Sequence, residues 1–440
     1  MPEQAEYKAP IANLGTLTAA LREGSLSLMA YIDELEAYFS SREPQVQAFV
    51  PESDRFERLR QEARRLLEQY PDPETRPPLF GVPLGVKDIF HVRGFDTTAG
   101  SKLPVDALQG PEAAVVTVLK KAGALVLGKT VTTEFAYFAP GPTRNPHHPE
   151  HTPGGSSSGS AAAVGAGLCP LALGTQTIGS VNRPAAFCGV VGYKPSYERI
   201  SREGVIPLSP SLDHVGLFTA DVAGMRLAAG LVVERWQPEA RPARPVLAIP
   251  RGPYLEKASA EGIVHFRAVV ERLISAGFRV KTVRAMSDFE QIAARHQELL
   301  AAEAAEVHAE WFAQYDHLYH AKTAELLTRG EMVPQVVVDA ARAGRQQLRQ
   351  ALMDLMDEHD VDFWIAPAAP GAAPGGLEST GDPIMNLPWT QSGLPAVSVP
   401  AGYNEDGLPL GLQLVGRWHE DEALLQGALA IEAVLRQGGT

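Results

Sequence analysis

Along the first 75 residues, apolar positions recur at helical spacing. "TLTAALREGSLSLMAYIDELEAYF" predicts helix interrupted at Gly24, and "DRFERLRQEARRLLEQY" predicts an amphipathic helix laced with opposite charges. "YPDPETRPP" (70–78) then breaks the chain. From residue 79 the pattern changes to short apolar runs of strand length: "LFGVPLGVKDIF", "ALVLGKT", "PLALGTQT" and, beyond a proline-rich break at 237–245, "PVLAIP". The helical stretch "EAAVVTVLKKAG" lies between the first two. Strands that alternate with helices predict a largely parallel sheet covered on both faces. Residues 260–360 read as mostly helical, from "GIVHFRAVVERLISAGF" to "LRQALMDLMDEHD". Strand-like "DFWIAP", "AVSVPAGY" and "LPLGLQLVG" follow, and "DEALLQGALAIEAVLRQ" closes as a helix. There is no internal repeat. The low-complexity loop "PAAPGAAPGGLESTGD" (367–382) is too short to tether two domains. The fold class read from this pattern is α/β.

Composition narrows the function classes. Of 440 residues, 45% are hydrophobic and 21% charged, which gives ample material for a buried core. A net charge of −13 repels phosphate backbones, so nucleic acid is not expected as a direct partner. "MPEQAEYKAPIANLG" lacks the basic and apolar regions of a secretory signal, and no apolar run reaches membrane-spanning length. Cys169 and Cys188 both lie in apolar surroundings and read as buried thiols of a reducing, cytoplasmic compartment.

The candidate chemistry centres on "TPGGSSSGSAAAVGAG" (152–167). A Gly/Ser run is usually a linker, but this one passes directly into a good helix former, with serines placed to cap its N-terminus. Gly165 and Gly167 would let that helix pack closely. A phosphate loop needs Lys after its second glycine, and Ser160 stands there instead. "GSSSG" (155–159) matches the G-x-S-x-G elbow formally, yet the polar, proline-broken "TRNPHHPEHTPG" before it is no strand. Asp213 and His214 are sequence neighbours, not the separated pair of a triad, and no Ser-x-x-Lys occurs. A serine helped by a base other than His remains. Lys87 ends the apolar run "GVPLGV", where desolvation would make its amine neutral near pH 7; alternatively it snorkels to the strand's end or pairs with Asp88.

"GVPLGVKD", "TPGGSSSGSAAAVGAGLCPLALGTQTIGS" and "RPAAFCGVVGYKPS" occur in this order and spacing, with "TRNP", "SLDHVG" and "SGLPAVSVPAGYNEDGLPLGLQLVGR" around them. Together they resemble the amidase signature family, amide hydrolases with a Ser–cis-Ser–Lys triad, over roughly residues 79–435. The resemblance implies one domain over 1–440 with a large mixed, mostly parallel central sheet. Its parts would be an N-terminal helical segment (1–75), a catalytic core (79–220), a variable helical region (255–360) and C-terminal strands with a helix (361–440). It implies Lys87 as base, Ser156 as the serine held by a cis peptide, and Ser180 as nucleophile. The backbone N–H groups of Thr177, Ile178, Gly179 and Ser180 would form the oxyanion hole. Substrate contacts fall to Tyr137, Phe138, Gly155, Ser157 and Trp389. No metal and no organic cofactor is implied.

The chain departs from the family's common form. "GTQTIGS" stands where many members read "GTDTGGS", which places Gln176 and Ile178 in place of Asp and Gly; Ile178 would narrow one wall. Arg183 lies one residue later than the usual arginine, where Asn182 stands, so an arginine contact supporting the cis serine is not assured. Ser158 reads as a helix cap, and Ser157 either joins the triad's hydrogen bonds or caps the helix. Asp213 reads as a loop tie. His147, His148 and His151 lie on an irregular loop and do not read as metal ligands. The expected activity is hydrolysis of a small-molecule linear amide through an acyl-enzyme, with no membrane partner and a homodimer left open. Two further readings are the glutaminase subunit of a tRNA-dependent amidotransferase and a biuret- or allophanate-like ureido hydrolase. A catalytically retired scaffold is disfavoured by the intact Lys87, Ser156 and Ser180.

Overall fold

The computed structural model describes residues 13–237 and 244–437. The first twelve residues of the N-terminal reading, and most of the proline-rich break at 237–245, lie outside the described residues. The strands are β1 Pro83–Lys87, β2 Leu125–Thr130, β3 Leu171–Gln176, β4 Val191–Lys194, β5 His214–Thr219, β6 Leu247–Arg251, β7 Val280–Arg284, β8 Phe363–Pro367, β9 Ala396–Tyr403 and β10 Pro409–Val415. They form one sheet in the order β2-β1-β3-β5-β4-β9-β10-β8-β6-β7.

The sheet is mixed, with less parallel pairing than the sequence pattern predicts. Parallel pairs lie toward its two ends: β1 with β2 and β3, and β6 with β7 and β8. The middle, from β3 through β5, β4, β9 and β10 to β8, is antiparallel throughout. The short link after β9 explains one of these pairs. Asn404 Oδ1 accepts from the N–H groups of Asp406 and Leu408, turning the chain straight back into β10. Strands β4, β5 and β7 are not legible as apolar runs. β4 has only four residues, β5 ("HVGLFT") has polar residues at both ends, and β7 ("VKTVR") is a charged edge strand.

The Gly24 break is real: Leu14–Glu23 ends on Gly24 in a left-handed conformation, and Leu28–Val46 follows. Arg55–Gln69 is the amphipathic helix expected there. The helix Ser158–Gly165 is buried along nearly its whole length, which is why it is built from Ser, Gly and Ala. A Cβ on Gly159 would sit 2.1 Å from the Ala48 carbonyl oxygen, so only glycine fits. No helix among the described residues is long and apolar enough to cross a membrane.

Candidate active site

Lys87 ends β1 between β2 and β3, and no part of it is exposed. Its Nζ donates to Ser156 Oγ at 2.8 Å and to Thr175 Oγ1 at 2.8 Å. Asp88 does not compete for it. That carboxylate pairs with Lys129 at 2.7 Å and accepts from Thr98. With two hydroxyls for neighbours, burial pulls the Lys87 pKa well below its ordinary value; the charge of Asp213 opposes this but is the smaller effect. The arrangement therefore favours the neutral form of this amine beside a serine hydroxyl.

Ser156 follows a cis Gly155–Ser156 peptide. Arg183 reaches that peptide: its Nη2 donates to the Gly155 carbonyl at 2.6 Å and to Thr380 Oγ1 at 3.1 Å, and its Nη1 donates to the Gly381 carbonyl. An arginine contact to the cis unit thus exists, made from the shifted position. Gly155 itself is turned toward Arg183 and is not part of the pocket wall.

Ser156 and Ser180 line one narrow pocket with Thr177, Ile178, Arg183, Ala136, Tyr137, Phe138, Leu208 and Pro383. No hydrogen bond joins the two serine hydroxyls, but both face the same space. Tyr137 and Phe138 are in the wall, as the sequence suggests. They follow Phe135 and Ala136, which both take left-handed φ (46° and 61°). That strained turn is pinned by Glu134, whose carboxylate accepts from the His320 N–H and Thr323 Oγ1. An adjoining cavity of about 240 Å³ shares Ala136, Thr177 and Leu208 with this pocket. A larger cavity of about 580 Å³, between Phe39, Phe49 and Val131, contains neither serine.

The turn Thr177–Ser180 joins β3 to the helix Asn182–Cys188. Its four N–H groups have no acceptor among the described residues, while three of its carbonyls are held. Thr177 O accepts from His296 Nε2 (3.1 Å), Ile178 O from Thr390 Oγ1 (2.6 Å), and Gly179 O from the Arg183 N–H (3.0 Å). Asp213 ties this turn to the neighbouring loop: it accepts from Thr177 Oγ1 at 2.5 Å and from the Leu208 and Ser209 N–H groups. His296 lies in the helical region 255–360, where the sequence offers no readable chemistry. One signal was available: His296, Glu303 and His308 interrupt the apolar stripe of the helix Phe289–Tyr315, and all three are buried.

Three assignments are corrected. Trp389 is fully buried and its Nε1 donates to Tyr254 Oη (2.8 Å), so it belongs to the core and not to the pocket wall. Ser157 neither joins the triad nor caps the helix. Its Oγ donates to the Thr175 carbonyl and accepts from the Thr175 N–H, stitching the loop to β3. Ser158 is no cap either, because its Oγ donates to the Val131 carbonyl. The histidine loop is tied to backbone: His147 Nε2 lies 2.9 Å from Cys188 O, and His151 Nδ1 lies 2.8 Å from Ala373 O.

Residues 30–425 match the family model described as Amidase. This chain belongs to the amidase family. It is accordingly a hydrolase of carbon–nitrogen bonds. The amidase is 33% identical to a glutamyl-tRNA(Gln) amidotransferase subunit of Synechococcus sp. (strain RCC307), over 94% of this chain and 96% of that one. It is 35% identical to the protein of the same name from Thermus thermophilus, over 84% and 88%. Among solved structures, one described as an amidase superposes with a TM-score of 0.87 at 32% identity, covering 96% of this chain and 99% of the other. The peptide amidase of Stenotrophomonas maltophilia gives 0.81 at 26% identity, with 98% of each chain covered.

Proposed function

We propose that this amidase cleaves the C–N bond of a small, uncharged linear amide through an acyl-enzyme on Ser180. The observation that carries the reading is the fully buried Lys87 amine bonded to Ser156 Oγ in the pocket that Ser180 lines. Neutral Lys87 takes the proton of Ser156 as Ser156 takes that of Ser180, and Ser180 Oγ attacks the amide carbon. The carbonyl electron pair moves onto oxygen, which the N–H groups of Thr177–Ser180 receive; one such donor contributes about 3–4 kcal/mol. Collapse expels the nitrogen, protonated through the same relay, and water then releases the acid.

The preference for an uncharged substrate rests on the wall. Tyr137, Phe138, Ile178, Leu208 and Pro383 are apolar or aromatic, no carboxylate lines the pocket, and Arg183 is already committed to three oxygens. A charged head group would be buried there without a partner. The glutaminase reading is favoured by a different observation, the names of the curated relatives. The alignment with the Synechococcus protein runs over 471 positions against 440 residues here, so this chain lacks segments that relative has.

The test is a panel of aliphatic, aryl and ureido amides plus free glutamine, with Ser180→Ala alongside. Turnover of an uncharged amide that Ser180→Ala abolishes supports the proposal. Full activity in that variant sinks the nucleophile assignment. Glutamine turnover that appears only with an added partner protein replaces it with the second reading.

A further inference from the structure

We propose that His296 is a positioning residue that aims the oxyanion-binding N–H groups; this rests on the reading of Thr177–Ser180 given above. In a planar trans peptide, the carbonyl of one residue and the N–H of the next point in opposite directions. Whatever fixes the Thr177 carbonyl therefore fixes the Ile178 N–H, and whatever fixes the Ile178 carbonyl fixes the Gly179 N–H. His296 Nε2 holds the first at 3.1 Å, and Thr390 Oγ1 holds the second at 2.6 Å. Neither His296 nor Thr390 lines the pocket, whereas Thr177, Ile178 and Ser180 do. The carbonyls are thus pulled away from the pocket, and the N–H groups are left facing it.

The histidine is suited to this task. A carbonyl oxygen only accepts, so the ring must carry its proton on Nε2. Burial keeps the imidazole neutral, with a pKa pushed down to about 3, and Nδ1 has no partner among the described residues. It is therefore a donor whose strength does not vary across the working pH range. It enters from the helix Phe289–Tyr315, which also supplies Glu303 to Ser209 and Ser211 of the loop beside the pocket. Aim matters in a hole that must meet a developing oxyanion, where a displacement of about 1 Å can cost about 100-fold.

The probe is an alkyl fluorophosphonate, whose use needs no knowledge of the natural substrate. Ser180 Oγ forms a bond to phosphorus, fluoride leaves, the serine proton passes to the relay, and the phosphonyl oxygen occupies the oxyanion site. Labelling rate constants and thermal midpoints are measured for wild type, His296→Leu and His296→Gln. The Gln amide can donate to the Thr177 carbonyl and Leu cannot. The expected result is labelling slowed about 10-fold or more in His296→Leu and returned to within about threefold of wild type in His296→Gln, with probe affinity before the chemical step unchanged. If His296→Leu does not fold, His296→Phe keeps a ring without a donor and takes its place. Equal rates in the donor and non-donor variants overturn the proposal, as does a wild-type rate in the non-donor variant. Ser180→Ala separates the two levels. Labelling retained there overturns the nucleophile reading and this inference with it; labelling lost there, with equal rates at 296, overturns the His296 role alone.

Discussion

Lys87→Met replaces a fully buried amine by an apolar side chain of similar length, and two consequences separate by pH. The first is kinetic: a general base contributes about 10²–10⁴-fold, so kcat should fall by that order while the pocket stays formed. The second is thermodynamic. Burial holds Lys87 neutral in the folded protein, but in the unfolded chain it titrates near its ordinary value of about 10.4. Above that pH both states are neutral at position 87. Below it the unfolded chain takes up a proton that the folded protein refuses, so stability falls as pH falls until the depressed folded-state value is reached. One proton is worth about 1.4 kcal/mol per pH unit. An unfolding entropy of about 2.1 cal/mol/K per residue gives about 0.9 kcal/mol/K for this chain, so the slope is about 1.5 °C per pH unit. The thermal midpoint of Lys87→Met minus that of wild type should therefore grow by that amount for each unit between pH 9 and pH 7. Other titrating groups, including buried Lys194 with its pKa pulled down to about 7, cancel in this difference. The two lost hydrogen bonds to Ser156 and Thr175 add only a constant offset. A difference that stays flat from pH 9 to pH 7 would mean that Lys87 is charged when folded, and the neutral-base argument would fail.

Gly179→Ala tests the turn from the other side. The added Cβ would lie 2.4 Å from Asn386 Oδ1, and Asn386 is fixed by its bonds to Ala368 O and Gln413 Oε1, so the turn must yield. A fall in kcat of about 100-fold with little change in KM is expected, and near-wild-type kcat would remove the turn from the chemistry. Trp389→Phe should leave KM within about twofold, because the ring lies in the core. Losing its bond to Tyr254 costs about 1–3 kcal/mol, or about 1–3 °C in thermal midpoint; a large KM change would return Trp389 to the pocket.

Local pattern pointed only to Lys87, at the end of an apolar strand run, while Ser156 and Ser180 were assigned their roles through the family resemblance of the motifs around them. The structure places both serines in one pocket, with Lys87 bonded to Ser156. What the sequence hid were contacts set by folding at long range. Arg183 meets Gly155 across 28 residues and His296 meets Thr177 across 119, and nothing in either local pattern names the partner. The serines after Ser156 misled for a related reason. A serine before a helix is ordinarily free to cap it, but here β2, β3 and the segment after β2 crowd the helix start. The hydroxyls of Ser157, Ser158 and Ser160 bond to those carbonyls instead. Trp389 was placed in the wall by its neighbourhood in sequence, yet its indole N–H had a buried partner in Tyr254 and no need of the pocket.

The departures from the family's common motif make physical sense as one unit. Gln176 Oε1 accepts from the Val181 and Asn182 N–H groups at 2.8 and 2.9 Å, a task a carboxylate could also perform at the start of the helix Asn182–Cys188. Its Nε2 does what a carboxylate cannot: it donates to Asn182 Oδ1 and to Thr390 Oγ1, both at 3.0 Å. Thr390 in turn spends its own proton on the Ile178 carbonyl. The amide at 176 therefore accounts for the asparagine at 182 and is wired to the hydroxyl that aims the turn. With Asn182 turned to Gln176 and the Gly192 carbonyl, the arginine reaches the cis peptide from 183 instead. The 176–182–390 network itself is neutral, so it adds no negative charge to that of the Asp213 carboxylate, which already bonds Thr177 of the turn. Reverting Gln176 alone to a carboxylate would face Asn182 Oδ1 with a second acceptor and force Thr390 to choose between 176 and Ile178. Gln176 and Asn182 should therefore behave non-additively: each reversion is costly singly and less so together.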